Sequence, residues 1–351
     1  MKLSILLISF VLFYNLSFSQ ETPTAEQLEM IYQFSYDVNK NLFEIPVYAY
    51  QEKKFDYNER FKKNPIPQDS MYMVLDSVVK NASIKVEKGS FGYNLILESE
   101  FPSIGKFGGS NGLMEVELVN TEILTGEQDT IKVKTKGGGT AFGGGFNFSN
   151  INGKVINYNY RTLYRQSQIL SDIDSTMVIK GKVQYKFFFL TDYEVIKLSK
   201  NNIGEKFKLG ADEYVLIDVF DNKTVLEKII TEGTESDTDI NIINLSKNEK
   251  KEFTAYSLFE LEKLQEKDKK YKDVQSFAFS RMGIYKKNYD IFRKKKDITL
   301  DEYKQLLPFK GLKKLKTEKQ YTVLAGPAPF DHNFLLYIPI YGITKTFEVQ
   351  L

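Results

Sequence analysis

Apolar positions follow two different periods along this chain, and the change falls near Ile84. Upstream, Leu28, Ile31, Tyr32, Ser35 and Tyr36 recur at helical spacing. Thr24 stands before them as a cap, with acidic residues in the first turn, and Pro46 closes the pattern. A polar stretch containing Pro65 and Pro67 leads to a second, shorter helix predicted from Ser70 to Lys80. From Ile84 onward the period is two. Leu95-Ile96-Leu97, Met114–Leu118 and Ile131–Thr135 read as strands separated by Gly and Asn. Asn152-Gly153, set between Phe146–Ile151 and Lys154–Tyr160, predicts a hairpin, because Asn-Gly favours the turn whose twist matches that of the paired strands.

A second β series runs from Met177 to Ile230. It comprises Val183–Leu190, Glu194–Leu198, Lys206–Leu209, Tyr214–Phe220 and Thr224–Ile230, with Asp221-Asn222 as a turn. No helical pattern intervenes, so antiparallel pairing is expected rather than βαβ units. After Ser246, Leu258–Val274 and Leu300–Leu307 return to helical spacing, the second opened by a Thr299…Glu302 capping box. Phe334–Ile338 and Ile343–Val349 are the last strands predicted. The expected class is mainly β: antiparallel β-sandwich-like modules, an N-terminal helix, and a helical insertion in the C-terminal part. Residues 1–19 are read as a signal peptide, 20–171 as the N-terminal helix plus a first β-rich module, and 172–351 as a second module with the insertion at about 258–307. The boundary near Ser171 requires that strands 84–160 and 177–230 stay in separate sheets.

The opening MKLSILLISFVLFYNLSFS changes the picture of location. Lys2 precedes a mostly apolar run, and Ser17 and Ser19 occupy the −3 and −1 positions of a cut before Gln20. The run is shorter than the roughly 20 residues of a spanning helix. The chain of 351 residues has no Cys, and export without disulfides points to a bacterial protein of the periplasm or cell exterior, soluble or peripherally attached. Zero Cys also removes thiolate metal sites and cysteine nucleophiles, and a single His removes any metal site that needs two imidazoles. The formal net charge of +2 argues against a nucleic-acid partner. It conceals an asymmetry, since residues 20–246 are acid-rich and residues 247–320 carry an excess of lysine.

The candidate motifs are weak when weighed for chemistry. Gly108-Gly-Ser-Asn-Gly112 has the G-x-S-x-G form of a hydrolase elbow, but the residues after it alternate like a strand, so a turn is expected. Gly137–Gly145 lacks the Lys-Ser/Thr close and the following helix of a phosphate loop, and reads as a loop between strands. With Phe142, Phe146 and Phe148 beside it, it is a candidate contact surface. His332, next to Asp331, reads as a loop residue, although any imidazole chemistry would have to use it. Asp172 and Asp174, and Glu235, Asp237 and Asp239, read as solvated acidic loops, because the calcium-loop Gly and Glu are missing. The densest basic run, Lys294-Lys295-Lys296, is interleaved with Tyr285, Tyr289 and Phe292. Tyr285, Tyr289 and the three lysines form a second candidate surface, for an anionic polymer or a membrane surface, although a solvated face of a lysine-rich chain is the plainer expectation.

No catalytic set emerges, and no metal or cofactor is expected. The expectation is an exported envelope protein that binds or scaffolds through protein–protein contacts, its partner an envelope protein or polymer. The absence of Trp weighs against a sugar platform. Two alternatives remain. A carboxylate-dependent, glycosidase-like hydrolase would need two carboxylates in one cleft, one of them with a raised pKa. An outer-membrane β-barrel would need long strands throughout and a lipid-facing apolar band.

Overall fold

The computed structural model describes residues 24–62, 66–89, 92–102, 114–126, 129–134, 139–151, 154–171, 173, 178–229, 240–272, 274 and 281–351, with the side chains of 139, 142–151, 154–159, 313 and 316 outside the description. Helix α1 spans Ala25–Phe43, α2 Tyr57–Arg60 and α3 Gln68–Lys80. Strand β1 is Tyr50–Lys54, β2 Ser83–Gly89, β3 Gly92–Pro102, β4 Met114–Thr125, β5 Gly139–Ile151 and β6 Lys154–Gln168. Then follow β7 Ile179–Phe189, β8 Asp192–Leu198, β9 Lys206–Leu209, β10 Asp212–Phe220, β11 Lys223–Ile229, β12 Asn241–Asn244 and β13 Lys251–Ala255. The helical region holds α4 Leu258–Lys267, β14 Arg281–Tyr285, α5 Lys286–Lys294, α6 Leu300–Leu306 and α7 Phe309–Lys314. Strands β15 Gln320–Ala325, β16 Phe334–Ile340 and β17 Ile343–Gln350 complete the order. The chain is mainly β, its pairings are antiparallel, and a helix stands at the N-terminal end of the described residues.

The chain divides into two compact units, which cut across the boundary expected near Ser171. Residues 57–193 and 339–351 form one of them. It contains the sheets β2-β3-β6-β5 and β17-β7-β4. Strand β4 pairs with β7 from Met114↔Phe189 to Thr125↔Ile179, so the two β series share a sheet. The physical reason is that β7 is buried on its inward face and needs a neighbour on each edge. β4 supplies one and β17 the other. Val183, Tyr185, Phe187 and Phe189 alternate into a core with Leu95 and Leu97 of β3, Leu163 of β6, and Val74, Leu75 and Val78 of α3. Two antiparallel sheets with interlocking apolar faces give the sandwich-like character expected.

The Asn-Gly hairpin appears as the β5–β6 ladder, which closes at Ile151↔Lys154; the turn residues lie outside the described residues. Gly139–Gly145, expected as a loop, belongs to β5 and pairs through Gly145↔Tyr160. Backbone ladder bonds to β6 do not depend on side chains, and a long partner strand overrides the low strand propensity of glycine.

Gly181 in β7 has φ of 142°, and a Cβ there would collide with the carbonyl oxygen of Glu122 on β4. Gly181→Ala is therefore expected to destabilise this sheet by more than about 1 kcal/mol, read as a lower unfolding midpoint in urea. An unchanged midpoint would contradict the close approach of β4 and β7.

The other unit comprises residues 24–56 and 194–338 and is built around β14-β15-β11-β10-β9. Alternation along the strands gives this sheet two apolar faces. Val225, Tyr321, Val323 and Ile284 point toward α1, α5 and α6, where Tyr36, Phe292 and Tyr303 meet them. Leu209, Leu216, Leu226 and Leu324 point the other way, toward Phe334 and Leu336 of β16 in the sheet β12-β16-β8. A helix layer, a central sheet and a second sheet result. Thr24 caps α1 through the Gln27 N–H, with Gln27 returning the bond, and Thr299 and Glu302 do the same for α6. The expected helical insertion is present but interrupted: β14 joins the central sheet, and the helix predicted over 258–274 ends at Lys267.

Candidate functional site

The densest set of perturbed polar groups surrounds the turn between β10 and β11, in the three-layered unit. Asp221 occupies φ of 47°, the only non-glycine residue with positive φ among the described residues, which lets the chain reverse within two residues. The turn backbone then receives two distant N–H groups: Gly326 donates to Asn222 O at 2.8 Å and Phe330 to Asp221 O at 2.9 Å. The Asn222 side chain is buried and donates to Pro46 O at 3.0 Å and Gly326 O at 2.9 Å. Two sequence-distant segments, at Pro46 and at Gly326–Phe330, are thereby held on one turn.

Lys223, the next residue, is 1% exposed. Its Nζ donates to Asn222 Oδ1 at 2.7 Å and to Ile45 O at 3.0 Å, and lies 5.8 Å from the centre of the Phe220 ring. Burial, aided by the positive charge of Lys296 and opposed by Asp221, pushes its ammonium down to about 8. A neutral amine keeps two N–H donors, and two acceptors are supplied.

On the preceding strand, Asp218 Oδ2 accepts from Tyr289 Oη at 2.6 Å and from Arg293 Nε at 2.7 Å, while Oδ1 accepts from the Val219 N–H at 2.7 Å. Burial opposes its charge, but the bonds from Arg293 and Tyr289 outweigh burial and hold the carboxyl below its ordinary range. Burial and the bond to Asp218 raise the Tyr289 hydroxyl. The Arg293 guanidinium lies 4.4 Å from the centre of the Phe220 ring. In chemical terms the hairpin carries an amine of lowered pKa and, in a separate set of bonds, an ionised carboxylate. Lys223 is sealed from solvent, however, and both groups already have partners supplied by the chain. The network ties α5 and the segment after α1 to the β10–β11 hairpin.

The residues singled out from sequence fall in different places. Tyr289 is buried, its ring tilted against Phe43 and edge-on to Tyr321, and is a core residue rather than a contact surface. It lies on α5, whose inward positions Asn288, Tyr289 and Phe292 are spaced among lysines. Tyr285 is half-buried just ahead of that helix. Lys295 pairs with Glu302 at 2.6 Å and Lys296 with Asp221 at 3.1 Å, which leaves Lys294 as the exposed member of the run without an ion pair among the described residues. Phe142, Phe146 and Phe148 lie on β5 opposite Leu163, Asn159 and Asn157, and their side chains are outside the described residues. Gly108–Gly112, Asp172, Asp174 and Glu235–Asp239 are also outside them.

Asp331 faces Lys200 at 3.7 Å, and exposed His332 follows a loop stapled by Asn244, whose Nδ2 donates to Ala328 O at 2.8 Å. Among the described residues no three His, Asp or Glu side chains gather to hold a metal. The carboxylates with a clear shift, Asp218, Glu249, Glu260, Asp268 and Glu302, are all shifted downward. No helix among the described residues is long and apolar enough to cross a membrane. The chain matches no family model, no curated protein and no solved structure.

Sequence reasoning missed Lys223, Asp218 and Arg293. Asp221-Asn222 was legible as a turn, and a lysine directly after it inside an apolar run was the available signal.

Proposed function

We propose that this is an exported bacterial cell-envelope protein that works by binding, through protein–protein contacts, rather than by catalysis. The reading is supported by a contrast in the three-layered unit. The groups of perturbed acidity are absorbed in hydrogen bonds that join its layers, while Leu258 and Phe259, adjacent at the start of α4, are 63% and 64% exposed. Only Leu261 of that helix is buried, and Lys263 lies 4.0 Å from the centre of the Phe259 ring. An exposed aromatic with a cation at its face suits a partner surface, where aromatic anchors carry much of the binding energy.

The hydrolase reading calls for a carboxylate with a raised pKa, whereas among the described residues hydrogen bonds hold Asp218, Glu249, Glu260, Asp268 and Glu302 low. Among the described residues, the division of the strands into five sheets favours packed modules over one closed barrel ladder. Export rests on the N-terminal segment alone. A photo-crosslinking side chain at position 259, introduced into the protein in its own cells, is the test. Discrete adducts with one or a few envelope proteins are expected, and recovery of the protein in the cytosolic fraction would overturn the reading.

A further inference from the structure

Among the described residues, four of the six lysines between 286 and 304 are ion-paired within the chain, Lys287 and Lys294 being the exceptions. Lys286 pairs with Asp290, Lys295 with Glu302, Lys296 with Asp221, and Lys304 with Glu29. The pattern changes at the next element. Residues 303–317 contain Lys304, Lys310, Lys313, Lys314 and Lys316 and no Asp or Glu. Lys310 and Lys314 on α7 are exposed, and neither has an ion pair among the described residues. The nearest acids in sequence are Asp301 and Glu302 on one side, the second already held by Lys295 and the Thr299 N–H, and Glu318 on the other. Leu306, four residues before Lys310, is 53% exposed, while Leu307 and Leu315 anchor the segment in the core.

We infer that the segment from Leu306 to Lys316 is a docking surface for an anionic lipid bilayer. Three features favour a bilayer over an acidic protein. The cations are all lysine, compact point charges without the fork by which arginine recognises individual carboxylates. Lys310 and Lys314 stand exposed on one short helix. An exposed leucine accompanies them, suited to the headgroup boundary, where polybasic segments gain about tenfold or less in affinity per lysine. The inference deepens the envelope reading by naming a surface, but its test is independent of any protein partner.

The test is co-sedimentation of the purified protein with vesicles of phosphatidylglycerol and phosphatidylcholine in about equal parts, against phosphatidylcholine alone. Binding to the anionic vesicles at about 0.1 M salt and release at about 0.5 M are expected. The double variant Lys310→Gln/Lys314→Gln is expected to weaken partitioning about thirtyfold, whereas Lys85→Gln/Lys182→Gln, with the same change in net charge at lysines already paired, leaves it near wild type. Circular dichroism of both variants establishes that they fold. No binding to anionic vesicles overturns the inference, as does an equal loss in the control variant. Lysine-dependent binding to soluble polyglutamate without vesicle binding would replace the bilayer with an acidic polymer. A negative vesicle result with discrete cross-links from position 259 would sink this surface and leave the envelope-binding reading standing.

Discussion

Phe292→Ala is expected to cost about 4 kcal/mol of stability, the largest effect of any single truncation considered. Phe292 is fully buried on α5, and its ring meets those of Tyr36 at 5.9 Å, Phe43 at 5.8 Å and Tyr303 at 5.5 Å. Those partners come from α1 and α6, so one side chain joins three helices of the layer. Their polar tips are occupied elsewhere: Tyr36 Oη donates to Ile298 O at 2.7 Å, and the Tyr303 hydroxyl bonds with Ser35 and Asn288. Burial raises the Tyr303 hydroxyl to about 12, so the ring stays neutral and packed. Such anchored rings cannot collapse into the space left by Phe292, which places the cost toward the upper end for a buried aromatic. Phe292→Leu, retaining most of the volume, is expected to cost less than about 2 kcal/mol. Urea unfolding monitored by circular dichroism checks both. A loss below about 1 kcal/mol for the alanine variant would contradict the helix layer as described.

The second large effect is on pH dependence and concerns Lys223. Its folded pKa of about 8 lies below the ordinary lysine value of 10.5. Between these values the unfolded chain holds the proton that the folded chain has released. Stability then rises with pH, because the unfolded state binds more protons. Below pH 8 both states are protonated and the penalty of burying the ammonium is constant. Above about pH 10 the gain is offset, because Tyr289 and Tyr303 are raised in the folded protein and their unfolded counterparts ionise there. The expected result is a gain of roughly 2 kcal/mol between about pH 8 and 10 from this group. Lys223→Met removes the titrating group, and its profile is expected to be flatter by that amount. The difference between the two profiles isolates Lys223 from the other groups. Parallel profiles would show that its ammonium is not destabilised by burial.

What could be read from the sequence was local. The Thr24 and Thr299 capping boxes announce α1 and α6 because the bonds they make span three residues. The Asn152-Gly153 hairpin is legible for the same reason, as its strands are joined by the turn itself. The elements that escaped are those stabilised from far away. Strand β14 lies in a stretch of helical and basic composition, and it is a strand because β15 offers it a free edge. Strand β1 is paired by β13, with Tyr50 opposite Ala255, a register that no local period contains. The domain boundary failed similarly, since β4 and β7 pair across the polar interval at Ser171. In the candidate site the same limit applies to Tyr289. Among lysines on a short helix it reads as part of a surface, and only the packing of Phe43 and Tyr321 against it makes it core.

The central claim is that exposed surfaces rather than the sealed polar network carry the function. Photo-crosslinking in the native envelope tests this most directly, with the reactive side chain placed at exposed Phe259 in one strain and at buried Tyr303 in another. The account predicts discrete protein adducts from position 259 and none from position 303. It would be contradicted by no adduct at position 259, together with purified protein that hydrolyses envelope polysaccharide and loses that activity on substitution of a carboxylate pair.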